Sequence, residues 1–156
     1  MTNKTALIVI DMQEDYMKPG DYPDTLIDRI NDKIAAASQK NQMIVYVKNK
    51  GKKHKLSYVS DFVPELMIVP GLIIEKGRPS MFDGKLLLSA LGEQGISEIE
   101  VTGIDGNFCV AASALDAAAL GFSVHYPLDC IGIKNQQRFL KTKKKLESAK
   151  ITITGE

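Results

Sequence analysis

Short, unbroken apolar runs rich in Val and Ile alternate along this chain with stretches whose apolar residues recur at helical spacing. Runs without polar alternation suit strands buried on both faces. Strands interleaved with helices are the pattern of βαβ units around a parallel sheet. The first run, TALIVID at 5–11, predicts a central strand. Residues 24–40 predict a helix, with Ile27, Ile30 and Ile34 on one stripe. Further strands are predicted at 43–48, 72–75, 99–104, 122–126 and 151–154. Between them, 82–94 predicts a helix through Leu86, Leu87, Ala90 and Leu91, stopped at Gly95. Residues 106–120 predict a turn and an Ala-rich helix closed by Gly121, and 135–149 a Lys-rich helix. The stretch 49–70 is expected to be irregular, with Pro64 and Pro70 as breakers, and a connection that long tends to be functional or disordered.

The 156 residues fit one domain, 1–156, around one core, and no internal repeat or linker divides them. Apolar residues make up 44% and charged residues 25%, which excludes the compositions of disordered and fibrous chains. A net charge of +1 gives no overall field towards nucleic acid or a membrane, so neither is expected as a partner. No apolar run approaches a membrane span of roughly 18–20 residues. The first residues, MTNKTALIVIDMQ, turn acidic after a short apolar run and offer no small-residue cleavage site, so no signal peptide is expected. Two cysteines make no disulfide framework; both are expected as reduced thiols in the cytoplasm.

In open α/β sheets, ligands bind beyond the carboxyl ends of the strands, where strand order reverses. Three reactive side chains are predicted at such ends. Asp11 closes the first strand, Lys76 follows the third, and Cys109 follows the fourth by a short turn. A carboxylate, an ammonium and a thiol at one sheet edge would form a nucleophilic site. A thiol at a helix start is favoured as thiolate by the N-terminal partial charge, and a nearby ammonium adds to that. Asp11 is then the candidate general base. Each residue also has an ordinary reading: a packed cysteine, a turn aspartate and a surface lysine.

Three stretches with their order and spacing, ALIVIDMQ at 6–13, KGRPSMF at 76–82 and VTGIDGNFCV at 101–110, make the chain resemble the isochorismatase-like cysteine hydrolases. That superfamily includes nicotinamidases, N-carbamoylsarcosine amidohydrolases and isochorismatases. The resemblance runs from residue 5 to about 130 and implies a three-layer α/β sandwich on a six-stranded, mainly parallel sheet in Rossmann-like order. It implies an Asp11–Lys76–Cys109 triad and a non-proline cis peptide between Ile104 and Asp105. The backbone N–H groups of Asp105 and Cys109 would receive the substrate oxyanion, and hydrolysis of an amide, carbamoyl or ureido group would pass through a thioester. A homo-oligomer, dimer or larger, is implied as well. The alternatives are ester or vinyl-ether hydrolysis, or a non-catalytic binding domain on the same fold. Receiver-type signalling domains need a second acid beside Asp11, where Met12 stands instead.

The chain departs from nicotinamidases after the second strand. They carry an Asp-x-His pair and further histidines that bind a metal; here the segment reads VKNKGKKHK at 47–55, with His54 alone among lysines. One histidine offers too few ligands, so neither a metal nor any other cofactor is expected. The cluster Lys48, Lys50, Lys52, Lys53 and Lys55 reads as a solvated loop, or as a lid attracting an anionic substrate. Asp105 stands where the family has a small residue, and either repulsion of anions or binding of a cation is open to it. Gln13, Tyr16, Phe82 and Phe108 neighbour the triad positions and are candidate substrate contacts. Cys130 and His125 are read as structural.

Overall fold

The computed structural model describes residues 4–53 and 55–156. Its strands are β1 (Lys4–Ile10), β2 (Met43–Asn49), β3 (Gly51–Lys53), β4 (Leu56–Tyr58), β5 (Leu72–Lys76), β6 (Ile96–Ile104), β7 (Ser123–Pro127), β8 (Ile131–Gly132) and β9 (Thr152–Thr154). Its helices are α1 (Leu26–Gln39), α2 (Leu86–Glu93), α3 (Cys109–Ala119) and α4 (Gln136–Ser148). The main sheet runs β5-β2-β1-β6-β7-β9, with β8 pairing beside β6. Each of its recorded pairings is parallel.

The unbroken apolar run of β1 is explained by its place between β2 and β6. Side chains of a strand alternate between faces, so Ala6, Ile8 and Ile10 enter one core while Leu7 and Val9 enter the other. On the first face lie Leu87 and Leu91 of α2, Val110, Ala114 and Ala117 of α3, and Phe139 and Leu146 of α4. On the second face lie Leu26, Ile30, Ile34 and Ala37 of α1. The result is a three-layer α/β sandwich, with α1 opposite the other helices. Ile30 and Ile34 are fully buried, each removing about 1.5–3 kcal/mol worth of apolar surface from water. The alanines of α3 keep that helix close to β6 and β7.

Three boundaries differ from those expected. The helix predicted at 82–94 begins only at Leu86. Ahead of it Gly84 takes a positive φ of 79°, and Asp83 Oδ2 accepts the Gly77 N–H at 2.7 Å, which holds the segment as a loop. The stretch expected to be irregular contains the antiparallel hairpin β3–β4, paired from Gly51–Tyr58 to Lys53–Leu56. The fourth predicted strand starts three residues early, at Ile96. His54 lies outside the described residues. Among the described residues no helix is long and apolar enough to cross a membrane.

Candidate active site

Counting the six strands of this path in chain order, the sheet has the order 3-2-1-4-5-6, which reverses direction between β1 and β6. The side chains at issue gather beyond the carboxyl ends of those strands and of β5. Asp11 leaves β1 in the left-handed region at φ 57°, a conformation that Asp tolerates better than most residues, and its N–H donates to Val47 O at 2.9 Å. Lys76 is the last residue of β5 and pairs in register with Asn49, the last of β2. Cys109 opens α3. Before it, Gly103 sits at φ 114°, so close to β1 that a Cβ would run into the carbonyl of Ile10. The peptide bond between Ile104 and Asp105 is cis.

Lys76 is fully buried. Its Nζ donates to Asp11 Oδ2 at 3.2 Å, to Asn49 Oδ1 at 2.9 Å and to Cys109 Sγ at 3.4 Å. An ammonium has three N–H bonds, and here each has an acceptor. The second oxygen of Asp11, Oδ1, is buried without a hydrogen-bond partner. Leaving a carboxylate oxygen so is unfavourable by about 1–3 kcal/mol, and this is the atom left free to take a proton.

Burial pushes the Asp11 carboxyl above the usual carboxylate range, with Lys76 and then the Cys109 thiol pulling it back. Burial, and next the charge of Asp11, push the Cys109 thiol up to about 11, against the opposing pull of Lys76. This corrects the expectation of a thiolate favoured by Lys76 and the helix start. Desolvation and the Asp11 carboxylate outweigh the ammonium, so the surroundings favour the thiol over the thiolate.

These groups border a cavity of about 350 Å³, lined by Asp11, Tyr16, Asn49, Ile104, Phe108 and Cys109, with the loop carrying Asp15, Lys18, Asp21 and Tyr22 as one wall and Lys134 on the other. Tyr16 and Phe108 thus lie where substrate contacts are expected. Gln13 and Phe82 do not line this cavity. Gln13 is buried: its Oε1 accepts the Asn49 N–H at 2.7 Å, and its Nε2 donates to Asn49 O at 3.2 Å and Ser60 O at 3.1 Å. Phe82 stacks on Phe122 at 6.4 Å and packs against the core. Cys130 is buried, with its Sγ 3.6 Å from Arg29 O, and His125 faces Glu98 at 3.9 Å.

The isochorismatase domain model matches residues 5–154, nearly the whole chain. The chain belongs to the isochorismatase family. An isochorismatase-like hydrolase from Alkaliphilus metalliredigens is 26% identical, with a TM-score of 0.82 over 98% of this chain and 94% of that one. A zinc complex of pyrazinamidase from Pyrococcus horikoshii is 24% identical, with a TM-score of 0.80 over 98% and 99% of the two chains. An N-carbamoylsarcosine amidase from Thermoplasma acidophilum is 20% identical, with a TM-score of 0.83 over 97% and 95%. No curated protein matches the sequence significantly.

In this family member, the acid after the cis bond lines the cavity and is held there by three hydrogen bonds. Asp105 accepts the Tyr22 O–H at 3.1 Å and the Lys134 N–H at 3.0 Å on Oδ2, and the Asn107 N–H at 2.7 Å on Oδ1. Its carboxylate joins the two walls of the cavity to the turn. Burial and then the Asp105 charge push the Tyr22 hydroxyl well above its usual value. Asn49, Tyr22 and Lys134 are not among the candidates read from the sequence; Asn49 carried a usable sign, since it closes β2 as Lys76 closes β5. Among the described residues no three His, Cys, Asp or Glu side chains cluster as a metal set, so the side chains described here do not fit the zinc of the Pyrococcus relative.

Proposed function

We propose that this chain is a cysteine hydrolase that cleaves a small amide, carbamoyl or ureido compound through a thioester, without a metal cofactor. The observation that carries the reading is the position of Lys76 Nζ, 3.2 Å from Asp11 Oδ2 and 3.4 Å from Cys109 Sγ, beside a cavity of small-molecule size. The amidase names of two solved relatives, a pyrazinamidase and an N-carbamoylsarcosine amidase, point the same way.

Cys109 Sγ attacks the substrate carbonyl carbon as its proton passes to Asp11 Oδ1. A positioned base of this kind contributes about 10²–10⁴-fold. The developing oxyanion is received by the N–H groups of Asp105 and Cys109, the second of which opens α3 where helix N–H groups lack intrahelical partners. Collapse breaks the C–N bond, and Asp11 hands its proton to the departing nitrogen. Asp11 then takes a proton from water, whose oxygen attacks the thioester carbon. The acid leaves, and the proton returns to sulfur. Lys76 holds Asp11 in place and offsets negative charge on oxygen and sulfur throughout. The proposal carries with it a small-molecule partner, self-association and a cytoplasmic location, of which the chemistry requires only the first.

A coupled assay for ammonia across a panel of carboxamides, carbamoyl and ureido compounds tests it. Release from at least one class is expected from the native protein, and none from Cys109→Ala or Cys109→Ser at unchanged fold by circular dichroism. Full turnover by the alanine variant would sink the mechanism.

A further inference from the structure

We propose that Asn49 is a positioning residue that aims the Lys76 ammonium between Asp11 and Cys109. The proposal rests on the triad reading above and extends it to a residue outside the triad. The Asn49–Lys76 contact, at 2.9 Å, is the shortest that the ammonium makes. The amide is itself fixed at every polar atom. Its Nδ2 donates to the Tyr16 hydroxyl at 3.0 Å, which determines that Oδ1 faces Lys76. Its backbone N–H and carbonyl are clasped by the two ends of the Gln13 side chain, at 2.7 and 3.2 Å. An acceptor held on all sides offers one direction to the ammonium, and an aimed donor loses less freedom when the reaction needs it.

Sheet order explains why such a residue is needed. β2 stands between β5, which carries Lys76, and β1, which carries Asp11. The lysine therefore reaches across the end of β2, and the side chain there borders its path. Asn accepts a bond without adding charge. A carboxylate at the same place would compete with Asp11 for the cation and add negative charge beside a thiol that Asp11 already disfavours as thiolate. Asn49 also lines the cavity with Tyr16, so a ligand resting on the Tyr16 ring touches the same hydrogen-bond chain, Tyr16–Asn49–Lys76.

The thiol reports on this without any substrate. Besides Asp11 and Lys76, the ionisable groups around it are the bonded pair Tyr22 and Asp105, the ion pair Asp21 and Lys134, and Asp15 and Lys18 on the loop wall. Asn49→Asp and Asn49→Ala leave all of these in place. The experiment is the rate of Cys109 alkylation by iodoacetamide against pH, read by peptide mass spectrometry so that Cys109 and Cys130 are counted separately. Asn49→Asp is expected to move the midpoint up by about one pH unit. Asn49→Ala should move it up by less, and Tyr16→Phe, which removes one hydroxyl, by less again. Where activity is measurable, kcat should fall with KM little changed. Midpoints equal to that of the native protein in both Asn49 variants, with Lys76→Met shifting it, would overturn the proposal while leaving the triad reading intact. A fold lost in both Asn49 variants leaves Tyr16→Phe to decide: a shifted midpoint supports the proposal and an unchanged one overturns it.

Discussion

Asp11 and Cys109 both hold their protons more tightly than the isolated groups, and the two shifts set opposite ends of the working range. In the proposed reaction Cys109 gives up its proton and Asp11 receives it. Because burial raises the Asp11 carboxyl, kcat/KM is expected to fall on the acid side above the usual carboxylate range. The thiol, at about 11, leaves the neutral range flat. A pH–rate profile of any turned-over amide checks this, and an acid limb at the ordinary carboxylate value contradicts it. Lys76→Met removes the cation from a buried carboxylate, a change that typically destabilises by about 3–5 kcal/mol at neutral pH. The sign with pH follows from the direction of the shift. The folded-state value of Asp11, already raised, rises further, so the folded state takes up the proton first and the deficit shrinks as pH falls. Urea unfolding at pH 7 and at pH 5 measures it; an equal loss at both contradicts the account. The three polar ends of strands could be read from the sequence because strand ends are where an α/β sheet keeps its chemistry. Gln13 could not be told from a substrate contact, since two residues beyond Asp11 the chain turns inward beneath Asn49. The direction of the thiol shift was hidden as well, because it depends on depth of burial rather than on which charges are near.

Elements were legible where periodicity reached the core and illegible where a turn decided the outcome. The stripe Ile27, Ile30 and Ile34 marks α1, and the TALIVI run marks the centre of the sheet. The late start of α2 depends on Gly84 and on the Asp83–Gly77 bond, neither of which has a period. The β3–β4 hairpin is three residues a side and, apart from half-buried Gly51, exposed where described, so it shows no apolar pattern. Among the elements, β6 is the one most exposed to a single change. Gly103→Ala forces a side chain into the Ile10 backbone and a backbone of φ 114° that L side chains rarely adopt. A loss of about 4 kcal/mol or more is expected, seen as a lower urea midpoint or as insoluble protein; native-like stability would mean that β1 and β6 separate more easily than their pairing indicates.

At the scale of the whole molecule, the lysines that composition left unassigned gather at the end of β2 and on the hairpin after it, next in the chain to Asn49, which lines the cavity. Lys50, Lys52 and Lys55 are exposed around the hairpin, Lys48 lies 4.5 Å over the Phe62 ring, and Gly51 approaches the Tyr16 hydroxyl on the cavity wall. A cationic rim of this kind raises encounter with anions and is screened by salt. For an anionic amide, kcat/KM is therefore expected to fall several-fold from low to high ionic strength, while a neutral amide changes little; insensitivity of both would make the hairpin a solvated loop. The cavity's two walls meet through Asp21 and Lys134, 3.4 Å apart and partly exposed. An exposed pair of that sort is worth about 0–1 kcal/mol, close to thermal energy. The pair is therefore too weak to hold the two walls together on its own. Shape selection among small ligands is then expected to rest on the interior, where Phe108 and Tyr16 line the cavity.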